Sequence, residues 1–163
     1  APEDATEEAS SNISTVDSLE GKETTSKFVR PVQDDSAKVT NPYSMDKLIY
    51  SVTLDQYMTH CGVDIQAPED CQVLAISEGT VTAVYQDDRF GTSIEITHPE
   101  NLVSIYSNLS TSEMVEVGDV VKQGQIIGGV GSTALFESLE PSHLHFEIIK
   151  DGTYVDPTEY IVF

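Results

Sequence analysis

Cationic residues are scarce: 8 Lys and Arg stand against 28 Asp and Glu, a formal net charge of −20 over 163 residues. Nucleic-acid binding relies on clustered Lys and Arg that neutralise phosphates, so a nucleic-acid partner is excluded. The same charge repels anionic lipid surfaces. A run of roughly 20 apolar residues, the length that crosses a bilayer as a helix, is missing, and no charged-then-apolar signal peptide opens the chain. Any membrane attachment is expected through an upstream anchor. The sequence begins at Ala1 without Met and runs straight into an acidic tail, as expected of a piece from which such a segment was removed. Cysteine is confined to Cys61 and Cys71. If Ala67-Pro68-Glu69-Asp70 turns a hairpin, the two thiols sit at unequal distances from the turn and stay unpaired.

Residues 1–26 are Glu, Asp, Ser and Thr with hardly any large apolar side chain. Such a segment cannot offset its ordering entropy by burial, and it is read as a disordered tail or linker. The apolar pattern begins at Phe28-Val29-Arg30-Pro31-Val32, which sets the folded domain at 27–163. There the apolar runs are short and β-branched, separated by Gly, Pro, Asn or Asp. They predict strands over 62–66, 71–77, 79–86, 92–98, 102–108, 126–130 and 143–150. The expected fold is mostly β, a sandwich or folded pair of sheets. A single helix is expected, over 45–58. Glu78-Gly79 and Asp151-Gly152 have the composition of hairpin turns. The acidic residues are read as solvated surface, and Tyr85, Tyr106, Phe146 and Tyr154 as core or cross-strand partners.

Of the four histidines, three are placed for chemistry. In His143-Leu144-His145, positions i and i+2 of a strand project to one face with Cα atoms roughly 7 Å apart. One ring can bind a metal while the other reaches the metal's water. Both faces of this strand are expected to be covered, with Leu144 packing one way and Phe146 the other. His60 and Asp64, four residues apart, would lie roughly 13 Å from each other on a straight strand. Gly62 and Val63 disfavour a helix. His60 is therefore expected on a loop before a strand, with the backbone bending at Gly62, which has no side chain to oppose the bend. Two imidazoles and a carboxylate suit zinc and leave a fourth position for water, the mark of a catalytic site. The extra histidine would polarise or deprotonate that water. On spacing alone, His pairs on strands are as often hydrogen-bonded surface residues, and that alternative stays open. His98, before Pro99, is read as a turn residue.

His-x-Gly-x-Asp-x-x-x-Pro, here His60-Cys61-Gly62-Val63-Asp64-Ile65-Gln66-Ala67-Pro68, together with His143-Leu144-His145, resembles the paired signatures of the lysostaphin/LytM-type zinc endopeptidases. The likeness continues through Glu78-Gly79-Thr80-Val81 and Val117-Gly118-Asp119 to Val155-Asp156-Pro157. It implies a LytM-type β-sandwich built on a duplicated hybrid motif, with a groove and few helices. It also implies one zinc ion on His60, Asp64 and His145, with His143 catalytic, and cleavage of peptide bridges or stems in peptidoglycan. One departure matters. Active members carry a histidine in a Tyr-x-His-Leu-Ser-like strand, and here that strand reads Tyr106-Ser107-Asn108-Leu109-Ser110. Asn108 can donate a hydrogen bond but cannot carry a proton or positive charge to an oxyanion. Losing such a group costs on the order of a hundredfold to a thousandfold in rate.

The expected function is therefore a metal-binding domain of weak or no hydrolytic activity; the alternative is a working zinc endopeptidase. Asn108 and the polar lead-in narrow the resemblance to the sporulation members of the family. Those lie outside the cytoplasm, between the membranes around an engulfed forespore, anchored by an upstream helix. The partner implied is peptidoglycan or a stage III sporulation protein AH-like protein. The hybrid-motif turns would also fit a biotinyl or lipoyl carrier, but Lys122 lacks flanking methionines and Asp64 stands where a metal ligand belongs.

Overall fold

The computed structural model describes residues 27–163; the tail expected over 1–26 lies outside the described residues. In chain order the strands are β1 (Lys38–Asn41), β2 (Ser44–Ser51), β3 (Gln56–His60), β4 (Val63–Gln66), β5 (Gln72–Leu74), β6 (Gly79–Asp87), β7 (Gly91–His98), β8 (Leu102–Ser107), β9 (Leu109–Thr111), β10 (Val120–Val121), β11 (Ile126–Val130), β12 (His143–Lys150) and β13 (Thr153–Val155). Short 3-10 turns at Leu135–Glu137 and Pro157–Glu159 are the only helical elements among the described residues. The large sheet has the order β1-β4-β12-β8-β7-β6-β10, with β13 paired to β12. A second sheet places β11 between β5 and β9, and β2 pairs with β3 as a separate ribbon. All these pairings are antiparallel.

The core lies where the two sheets face each other. Val63 and Ile65 of β4, Leu144, Phe146 and Ile148 of β12 and Ile94 and Ile96 of β7 pack with Val73, Leu109, Ile127 and Val130 from the smaller sheet, all fully buried. The Tyr106 hydroxyl enters this core with its polar atom satisfied, accepting from the Ile76 N–H at 3.0 Å and from Ser104 Oγ at 2.9 Å. Tyr106 and Phe146 are thus core residues, as the sequence suggests. The opposed packing expected of Leu144 and Phe146 does not occur. Strand side chains alternate, so 144, 146 and 148 share a face and join one cluster. His143, His145 and Glu147 take the other face, and all three are buried.

Several local expectations fail for a common reason, namely that sheet membership overrides local turn chemistry. Residues 45–58 form the β2–β3 hairpin in place of a helix, with Tyr50 and Tyr57 paired across it, ring centroids 5.5 Å apart. Ala67-Pro68-Glu69-Asp70 is no hairpin turn, because β4 pairs with β1 and β12 whereas β5 pairs with β11. Glu78-Gly79 likewise lies on the path between sheets. Asp151-Gly152 is a hairpin turn: both residues have positive φ, 52° and 83°, and Lys150 pairs with Thr153. Cys61 and Cys71 are free thiols. His98 is the last residue of β7, not part of a turn, and it is buried with Nδ1 at 2.7 Å from Glu78 O and Nε2 at 2.8 Å from Ser104 Oγ. Burial lowers its pKa, and it takes no part in the site.

Candidate metal centre

Three strands and a bend assemble the site. His60 ends β3 and Asp64 is the second residue of β4, so His60 is a strand residue and not a loop residue. Between them the chain turns at Cys61-Gly62. A Cβ on Gly62 would sit 2.3 Å from the Phe146 carbonyl oxygen, so only glycine lets the bend press against β12. The bend brings His60 Nε2 to 3.3 Å from Asp64 Oδ1. Across the β4–β12 ladder His145 stands opposite Asp64, and its Nδ1 lies 2.8 Å from the same oxygen. His143, opposite Gln66, keeps its Nε2 3.9 Å from Asp64 Oδ1. The four residues singled out by sequence spacing therefore meet, and their rings share one face.

The proton positions follow from the outer partners. His60 Nδ1 lies 2.9 Å from Pro42 O, a pure acceptor, so this nitrogen carries the hydrogen and Nε2 offers its lone pair inward. His145 Nε2 lies 2.8 Å from Glu147 Oε2, which fixes the hydrogen there and turns the Nδ1 lone pair inward. Asp64 is steadied by Asn41 Nδ2, which donates to Oδ2 at 3.1 Å and leaves Oδ1 facing both rings. Two imidazole lone pairs and a carboxylate oxygen converge, so the donor set fits a divalent cation of the zinc type. In its absence, protons on the rings must take over.

A residue that no sequence signal marked completes the cluster. Glu137, in the 3-10 turn Leu135–Glu137, sends Oε2 to 3.2 Å from His60 Nε2 and 3.4 Å from His145 Nδ1. Its other oxygen, Oε1, lies 2.9 Å from His143 Nε2, while His143 Nδ1 donates to Pro141 O at 2.8 Å. Glu147, two residues beyond His145, lies on the same strand face, the one signal in the sequence that points to it. Cys61 Sγ donates to Glu147 at 2.9 Å. Phe90 stacks on the His145 ring, with centroids 3.9 Å apart and planes 10° apart. A small cleft, lined by Ile49, Met58, His60, Phe90, Phe136 and Glu137, opens onto the cluster.

The charges of the cluster respond to each other. Burial pulls the imidazoles down, but the carboxylates outweigh it. Hydrogen bonds and charge from Asp64 and Glu137 hold His60 up to about 9, those from Glu137 and Asp64 hold His143 up to about 9, and His145 rises well above its ordinary value. The same contacts hold Asp64, Glu137 and Glu147 below the usual carboxylate range against the opposing effect of burial. Glu140 goes the other way: burial, with the charges of Asp64 and Glu137 beside it, pushes it up to about 8.

Asn108 stands at the break between β8 and β9 with φ 64°, a conformation that asparagine tolerates better than most residues. Its amide is fully engaged with backbone. Nδ2 donates to His143 O at 2.7 Å and to Gly131 O at 2.9 Å, and Oδ1 accepts from the Ala134 N–H at 2.7 Å. Both N–H groups and the carbonyl are spent on holding β12, the stretch after β11 and the start of the Glu137 turn.

This fold and this cluster define a class. The chain belongs to peptidase family M23, whose profile matches residues 58–157. Among individual proteins, it is similar to stage II sporulation protein Q of Bacillus subtilis, 36% identical over 107 residues, which are 64% of this chain and 37% of that protein. A structure of the SpoIIQ–SpoIIIAH pore-forming complex superposes with a TM-score of 0.71 at 30% identity, covering 83% of this chain and 91% of the other. A zinc-containing peptidase from Vibrio cholerae superposes with a TM-score of 0.68 at 26% identity, covering 80% of this chain and 39% of the peptidase. The chain thus spans well under half the length of the curated sporulation relative. No helix among the described residues is long and apolar enough to cross a membrane.

Proposed function

We propose that this chain is an extracytoplasmic, zinc-binding M23 domain with weak or no hydrolytic activity that works by binding. Its partner would be a stage III sporulation protein AH-like protein or peptidoglycan, in the space between forespore and mother cell, with membrane attachment supplied by an upstream anchor. Zinc would be held by His60, Asp64 and His145. The observation that carries the reading is the state of Asn108. It stands where the family resemblance expects a catalytic histidine, and its amide has no hydrogen left for a developing oxyanion, both being donated to the carbonyls of His143 and Gly131. The likeness to a relative whose structure is that of a complex with a stage III protein supports the choice of partner.

A bound zinc would polarise a peptide carbonyl and acidify a water. On the protein side, His143 would have to move the proton, yet its Nε2 lies 2.9 Å from Glu137 Oε1. The second reading, a working endopeptidase on peptidoglycan peptide bridges, draws on the full set of His60, Asp64, His143 and His145 around one point. Elemental analysis and a muropeptide digestion on the same preparation separate the two. The expected result is about one zinc per chain, as a single closed cluster of this donor set requires, with no release of new amino groups above a His143→Ala control. Release that His143→Ala abolishes would establish the enzyme and overturn the binding reading.

A further inference from the structure

We propose that Glu137 is an internal fourth ligand, which closes the metal centre and engages His143 at the same time. The inference rests on the metal reading above and goes beyond it, because three protein ligands and an open position would become four ligands and none.

The argument is geometric. A tetrahedral zinc with bonds of about 2.0–2.1 Å sets its ligand atoms roughly 3.3 Å apart along each edge. Four edges of such a tetrahedron are drawn by side-chain atoms here. His60 Nε2 to Asp64 Oδ1 is 3.3 Å, His60 Nε2 to Glu137 Oε2 is 3.2 Å, His145 Nδ1 to Glu137 Oε2 is 3.4 Å and His145 Nδ1 to Asp64 Oδ1 is 2.8 Å. Glu137 Oε2 thus stands one ligand edge from each ring nitrogen. A general base would instead stand a water's width further out. Glu137 Oε1 meets His143 Nε2 at 2.9 Å, so one carboxylate spans both the metal's fourth corner and the ring that would otherwise handle its water.

The turn that delivers this carboxylate is held by the backbone. Glu137 N–H donates to Ala134 O at 3.2 Å and Phe136 N–H to Arg89 O at 2.9 Å, while the Leu139 N–H reaches Thr53 Oγ1 at 3.1 Å on the β2–β3 connection. The residue that starts the turn, Ala134, gives its N–H to Asn108 Oδ1 at 2.7 Å. The asparagine that displaces the expected histidine is therefore the anchor of the turn that fills the metal's fourth corner. Glu137 is only 6% exposed, so an incoming carbonyl or carboxylate would have to dislodge it rather than bind beside it.

Cobalt(II) in place of zinc reports on this directly, because its visible d–d bands follow the identity and number of ligands. Wild type, Glu137→Ala and Glu137→Gln are loaded with cobalt and titrated with acetate; zinc affinity is measured by chelator competition. Wild type should give a tetrahedral spectrum that acetate does not change. Glu137→Ala should lose at least about tenfold in zinc affinity, the lower end of what even an outer-shell partner is worth, and its cobalt spectrum should shift as acetate occupies the vacated corner. Glu137→Gln, nearly the same size, carries the same expected loss of affinity and keeps the test decisive if Glu137→Ala fails to fold. Equal affinities with an acetate-sensitive wild-type spectrum would overturn the role of Glu137 while leaving the three-ligand site standing. A wild type that takes up neither metal would overturn the metal reading and this inference together.

Discussion

Asn108 is best understood by counting hydrogen bonds. A primary amide supplies two donors and an acceptor, and all are matched to backbone groups of three separate segments. A neutral imidazole supplies one donor and one acceptor, so restoring the family's histidine by Asn108→His leaves at least one of the Gly131, His143 or Ala134 backbone groups without its partner. Each buried group left unmade costs about 1–3 kcal/mol. Asn108→Ala abandons all three and should cost more, about 3 kcal/mol or above on the same scale. Urea melts of the three proteins should therefore rank wild type above Asn108→His and Asn108→His above Asn108→Ala. An Asn108→His protein as stable as wild type would mean that the amide is not holding the turn.

At the scale of elements, legibility followed burial. The strands 126–130 and 143–150 carry runs of apolar or site residues fixed between two neighbours, and their bounds match the structure. The bend at Gly62 was readable because two candidate ligands four residues apart cannot meet on a straight strand, and Gly62 and Val63 disfavour the helix that would otherwise join them. The β2–β3 ribbon was not. Leu48, Tyr50, Val52 and Tyr57 are all half-exposed or more, so no buried face imposes a period of two on the sequence. Glu137 was invisible for a different reason. It lies 77 residues from His60, on a turn whose surroundings carry no spacing rule, and only the folded chain brings them together. The same contrast sets local stability. β12 has ladder partners on both sides, β4 and β8, whereas β2 and β3 pair only with each other. Amides of Tyr50 and Met58 should exchange with solvent through local openings, orders of magnitude faster than those of Phe146 and Ile148, which await nearly global unfolding. Equal protection in a hydrogen-exchange experiment would show that the ribbon is fixed by packing beyond its own ladder.

For the molecule as a whole, the pKa shifts at this centre predict a pH dependence of stability that bound zinc would reverse on the alkaline side. In the metal-free protein the ordinary imidazole value of 6.5 is raised to about 9 for His60 and for His143. A raised folded pKa contributes stability that is fully present below the unfolded value and is lost as pH climbs through the folded one. The unfolding free energy of the metal-free protein should therefore fall between about pH 6.5 and 9, by an amount on the order of 1–3 kcal/mol shared over the coupled rings, and the melting temperature should fall with it. The depressed carboxylates Asp64, Glu137 and Glu147 work the other way and lose their contribution only in acid, as pH falls from the ordinary carboxylate range toward their lower folded values. Zinc held there would reverse the alkaline limb. It would take the lone pairs that protons otherwise hold, so its binding would release protons and weaken as pH falls. Zinc should thus raise the melting temperature strongly at pH 8 to 9, where the empty cluster has lost its protons and its carboxylates face one another. At pH 5 it should add little, because the protons already do the same work. Thermal melts in excess zinc and in chelator across this range provide the check. A metal-free protein that gains stability from pH 6.5 to 9 would rule out protonated histidines as the stand-in for the metal at this centre.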